Sequence, residues 1–104
     1  MTHSRTTALD ALVDGARHRL DALRETHERL DRIRFRVTSP DNLVTVVADG
    51  SGAMVELQIA ENLGSVSAHV LGSTIVSVAA EASAGALDQR SGILQSLQTS
   101  FTDS

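Results

Sequence analysis

Arginine is the residue whose number and spacing could do chemistry in this chain. Seven of its nine arginines fall between Arg17 and Arg36, at 17, 19, 24, 29, 32, 34 and 36, and there is no Lys. A guanidinium fork matches the oxygens of a phosphate, and neutralising phosphates releases counterions, so such a stripe can follow a nucleic-acid backbone. A local reading competes with it. Glu25 and Arg29, Glu28 and Arg32, Arg17 and Asp21, and Arg24 and Glu28 are all at i,i+4, where exposed ion pairs stabilise a helix by about 0.2–0.5 kcal/mol each. Arg34 and Arg36 escape that reading, because they alternate with Phe35 and Val37 and have no acid close by in sequence. The candidates for contacting phosphates are Arg24, Arg29, Arg32, Arg34 and Arg36, with the last two the strongest.

Other chemistries lack their residues. Without Cys there is no disulfide, no thiolate zinc site and no thiol nucleophile. His3, His18, His27 and His69 show neither a His-x3-His nor a His-Glu-x-x-His spacing, so no metal is expected. Asp49-Gly50-Ser51-Gly52 lies between two β-branched runs and lacks the Lys and following helix of a phosphate-cradling loop, so it reads as a hairpin turn. No Gly-x-Ser-x-Gly elbow surrounds Ser51, and Glu56, Glu61 and Glu81 form no acid–base pair. No catalytic residue and no cofactor is expected, and the chain reads as a non-enzyme. Its only aromatics, Phe35 and Phe101, offer no stacking platform for single-stranded bases.

The net charge of −4 is unevenly spread. Residues 1–37 hold eight arginines against six acids, a balance of +2, and residues 38–104 hold Arg90 against seven acids, a balance of −6. Any acidic partner is therefore met by the first third of the chain. No signal-peptide pattern and no run approaching ~18 apolar residues is present, which points to a cytoplasmic protein with no membrane partner.

These residues must be positioned by a small number of elements. Residues 7–33 read as one helix of about 40 Å, at 1.5 Å per residue. Leu9, Val13, Ala16, Leu20, Leu23, His27 and Leu30 step along it by fours and threes, a seam for another helix or a second copy of the chain. His27 in that seam either sets register or makes a pH-sensitive dimer contact. At Ile33 the period changes to two, and strands follow at 34–38, 43–48 and 53–59, joined by Ser39-Pro40-Asp41-Asn42 and by the Asp49–Gly52 turn. In the third strand Val55, Leu57 and Ile59 face one way and Met54, Glu56 and Gln58 the other. A second helix spans 65–98, with Leu71, Ile75, Val78 and Ala82 continuing the seam and a break admitted near 85–92, where Gly85 and Gly92 weaken it. The fold class is α+β, a single domain over 1–104 with the order αβββα: long helix, three-stranded antiparallel meander, long helix.

That order resembles the YbaB/EbfC family of bacterial nucleoid-associated DNA-binding proteins. The likeness is carried by Leu43-Val44-Thr45-Val46, the Asp49-Gly50-Ser51-Gly52 turn, Met54-Val55-Glu56-Leu57-Gln58-Ile59, and Leu71-Gly72-Ser73-Thr74-Ile75-Val76-Ser77-Val78-Ala79-Ala80-Glu81-Ala82. The usage of Arg, Ala and Val without Lys fits a divergent, actinobacterial-type member. The resemblance implies an intertwined homodimer, helices projecting like tweezer arms, and binding of double-stranded DNA with low sequence specificity. It also implies an alternative, because divergent members of this fold occur as accessory proteins of secretion loci, with another protein as partner. The chain departs from the family pattern in having no Lys and no Gly- and Met-rich tail.

Overall fold

A computed structural model describes the chain from residue 2 to residue 102, with side chains from residue 7 onward. His3 lies outside those side chains. The elements are α1 (Thr2–Asp31), β1 (Arg34–Thr38), β2 (Val44–Asp49), β3 (Met54–Ile59) and α2 (Ala68–Thr102). The strands form one antiparallel sheet in the order β1-β2-β3. The architecture is the αβββα meander between helices that the period change predicts.

Local chemistry sets each junction. Beyond Asp31 the Arg34 side chain folds back over the junction, its Nη1 donating to the Ile33 carbonyl at 2.6 Å and to the Asp31 carbonyl, the last of α1, at 3.3 Å. In the first turn the buried Ser39 hydroxyl donates to Asp41 and accepts from the Val44 N–H, while Asn42 takes a positive φ of 62°. In the second, Asp49 Oδ1 accepts from the Ser51 N–H at 2.9 Å, the Ser51 hydroxyl at 2.6 Å and the Ala53 N–H at 3.2 Å. Gly52 adopts a φ of 84°, a conformation that glycine reaches without strain. The second helix starts at 68 rather than 65 because Ser67 is its N-cap, accepting from the Val70 N–H at 3.1 Å.

The register puts Phe35 opposite Ala48, Val37 opposite Val46, and Val46 and Val44 opposite Leu57 and Ile59, so all of these share one face. The first half of α2 covers that face through Val78, Ala82 and Ala86, all buried, with Leu71 and Ile75 packed beside them. The four seam positions Leu71, Ile75, Val78 and Ala82 thus lie on the sheet. A sheet with one apolar face must be covered, and α2 is the element that reaches it. The helix crosses 85–92 without a break. Gly85 is instead a point of close approach, since a Cβ there would overlap the Phe35 ring.

β3 departs from strict alternation. A bulge inserts Val55 between the Val47–Glu56 and Ala48–Met54 pairs. Val55 therefore joins Val47 and Glu56 on the outer face of the sheet, beside Arg34 and Arg36, and Met54 turns to the apolar face.

The second half of α2 leaves the sheet and runs antiparallel to α1. Gln89, Gly92, Ile93 and Ser96 lie beside Arg29, Arg32 and Ile33, and Ser100 and Phe101 lie beside Gly15, His18, Arg19 and Ala22. The result is a two-helix arm, and the chain measures 83 × 21 × 15 Å with a radius of gyration of 22.2 Å. A compact chain of this length has about 13 Å. By length and composition alone α2 could cross a membrane, contrary to the sequence reading. Its valines, leucines and isoleucines, with alanines between them, give it that property, and Val78, Ala82 and Ala86 are buried in the core.

Candidate nucleic-acid interface

The arm turns a small-residue face of α1 toward α2, formed by Gly15, Ala22 and the buried Thr26, with Ile33 below. The predicted leucine seam is rotated about 100° away from it, one residue on. Leu9 is 61% exposed, Leu20 47% and Leu23 46%, and Val13 and Ala16 are exposed too. Only Leu30, at the base, packs on the core. His27 points to solvent and lies 3.3 Å from Asp31. A helix carrying leucines along an uncovered face retains a surface for something else to bury.

The five candidate arginines divide into two groups. Arg34 is engaged with the Ile33 and Asp31 carbonyls, and its charge adds to the hydrogen bonds of Ser51 and Ala53 that hold the Asp49 carboxyl below its usual range, the Ser51 hydroxyl being the main cause. Arg36 reaches across Val47 to Glu56 at 3.7 Å. Each of the sheet-face pair thus has a partner, Arg34 in the main chain just before it and Arg36 across the sheet. Arg24, Arg29 and Arg32 show the opposite. None of the four i,i+4 pairings closes to within 4 Å, and among the described residues the ion pairs are His27–Asp31 and Arg36–Glu56.

Arg29 and Arg32 stand together on one wall of an open groove of about 500 Å³, with Gln89, Gly92 and Ser96 on the other and Ile33 and Ile93 at its floor. Two guanidinium donors and the Gln89 amide facing one trough form a donor-rich seat for an oxyanion, while the Ser96 hydroxyl donates to the Gly92 carbonyl at 3.1 Å. A family model, that of the YbaB/EbfC DNA-binding family, matches residues 7–101. The chain belongs to this family. No curated protein and no solved structure matches at the level required for significance. In this family member the arm and its arginines fall inside the matched span.

Gln89 and Ser96 escaped sequence reasoning. Their place opposite Arg29 and Arg32 follows from the antiparallel pairing of α1 with α2, and the single local signal is Gly92, a small residue where two helices must leave a trough open. Among the described residues no group of three or more His, Asp or Glu is placed to hold a metal ion. Arg90, the lone base of the second half, hydrogen-bonds the Gly50 carbonyl at 3.3 Å.

Proposed function

We propose that this protein is a homodimeric, nucleoid-associated DNA-binding protein of the cytoplasm that grips double-stranded DNA with low sequence specificity. The observation that carries this reading is the unpaired Arg29–Arg32 couple facing Gln89 and Ser96 on the arm, within a chain of a DNA-binding family. Arg24, one and two turns toward the N-terminus, extends the track. Arg34 and Arg36 are secondary contacts, free to add charge once they leave their present partners. Guanidinium–phosphate contacts position a protein on the duplex without reading bases, which accounts for low specificity. The homodimer is supported by the extended form of the chain.

The test is binding to unrelated duplexes across a salt series. The expected result is similar affinity for each sequence, with log affinity falling linearly in log salt by about 0.9 per phosphate neutralised. Absence of binding at ~50 mM salt with micromolar protein overturns the reading. The protein-accessory alternative has one observation in its favour, the apolar stripe of Val76, Leu87 and Leu94 exposed along α2. It predicts that same absence.

A further inference from the structure

We propose that the leucine face of α1 is a docking site for an acidic amphipathic helix of another protein, laid side by side along the arm. The site stands apart from the arginine groove and gives the protein a second partner besides DNA.

The face is long, apolar and uncovered. Leu9, Val13, Leu20 and Leu23 are between 46% and 61% exposed, and Leu12 beside them is 70% exposed. From Leu9 to Leu23 the stripe runs for about 21 Å, at 1.5 Å per residue. The second helix of the arm leaves it bare, because α1 turns Gly15, Ala22 and Thr26 toward α2 instead. Spacing by fours and threes is the pattern that receives another helix, each side chain entering a hole between four others.

The charges at the edges of the stripe choose the partner. When the leucines form the seam of a helix pair, Arg17 and Arg24 stand along one edge and Arg19 along the other. No acid shares those edge positions between Leu12 and Arg24. Among the described residues none of these three arginines has a carboxylate within 4 Å, since the ion pairs there are His27–Asp31 and Arg36–Glu56. The matching helix therefore brings apolar residues to the seam and Asp or Glu to both edges. Complementary edges are how helix pairs select one another.

A second copy of this chain is the wrong occupant. Laid parallel and in register, it sets Arg19 against Arg24 of the copy. Laid antiparallel with Leu20 on Ala16, it sets Arg17 against Arg17 and Arg19 against Arg19. With Leu20 on Leu23, Arg17 meets Arg24 twice over. Each arrangement opposes like charges, which suppresses the pairing. An anionic membrane fits no better. Between residues 7 and 31 α1 holds four Arg against six acids, so its surface as a whole repels such a layer, whereas a helix meets the edges alone. The DNA grip is elsewhere on the helix. By helical spacing Arg29 and Arg32 lie about 180° and 120° around from Leu20, so the two faces can be occupied together.

Two synthetic three-heptad helices with leucine at the seam serve as probes, one with Glu at both edges and one with Lys, titrated with the full chain by fluorescence anisotropy. The expected result is that the Glu helix binds at least tenfold more tightly than the Lys helix. Leu20→Gln with Leu23→Gln should abolish that binding and leave thermal unfolding unchanged, because both leucines lie outside the core. Arg17→Glu with Arg24→Glu should turn the preference to the Lys helix. Equal binding of the two helices, or binding of neither, overturns the site. So does binding to phosphatidylglycerol vesicles that the leucine variant loses. Sedimentation decides about copies of this chain. An assembly state unchanged by the two leucine substitutions supports the proposal, and one that they lower assigns the face to self-association and overturns it. None of these readouts involves DNA, so the DNA reading stands or falls separately.

Discussion

α2 passes through two regions built on opposite principles, and its two inner glycines mark them. Over the sheet, Gly85 lies against Phe35, and Val78, Ala82 and Ala86 are buried with Ile33, Val44 and Val46. Along the arm, Gly92 has nothing within 4 Å of where a Cβ would stand, and it borders the Arg29–Arg32 groove. The first region is closed and specifies the fold. The second is open, with leucines facing out and arginines unpaired. An arm of two helices cannot bury both its flanks by itself, so its surface is available for partners.

The largest expected difference between the regions is in core truncation. Ile33→Ala, in the closed region at 1% exposure, is expected to cost about 2–5 kcal/mol in urea unfolding. A cost below ~1 kcal/mol would mean that the sheet–helix core is looser than described. Next comes the glycine pair. Gly85→Ala forces a methyl into the Phe35 ring and should destabilise by about 1–3 kcal/mol. Gly92→Ala has open space and a better helix former, so thermal unfolding should show a gain of about 0.5–1 kcal/mol. Equal signs for the two substitutions would break the contrast.

The smallest effect is electrostatic and belongs to the turns. Asp41 is held below the usual carboxylate range mainly by the Ser39 hydroxyl, and Asp49 mainly by the Ser51 hydroxyl. A carboxyl whose folded value is depressed adds stability that is complete above its unfolded pKa of about 4 and is lost as pH falls through the lower folded value. The melting temperature should therefore be insensitive to these two groups from pH 7 to about 5 and decline below about 4. Asp49→Asn should shallow that decline, and an unchanged acid profile would remove Asp49 from the account.

Much of the fold was legible because its signals are local. The switch of period at Ile33, the Pro40 and Gly52 turns and the β-branched run at 43–48 each declare themselves within a few residues. The arm was legible only in half. Its leucine spacing marked a seam, yet α1 turns Gly15, Ala22 and Thr26 toward α2, small residues that leave no hydrophobic period to read. The same limit hid the partners of two arginines. Arg36 finds Glu56 two strands over, and Arg34 finds carbonyls at the end of α1, partners that appear only once register and helix end are known. The Val55 bulge was invisible for a similar reason, since one inserted residue leaves the composition of the strand unchanged.

The arm's arginine couple as the grip on DNA is the central claim, and paired substitutions test it most directly. Duplex affinity should be measured over a salt series for Arg29→Ala with Arg32→Ala, and separately for Arg34→Ala with Arg36→Ala. The account predicts that the arm pair weakens binding on every sequence and makes the salt slope shallower by about 1.8 for each engaged protomer, at 0.9 per phosphate. The sheet pair should do clearly less. A larger loss from the sheet pair, with the arm pair near the unsubstituted protein, would contradict it.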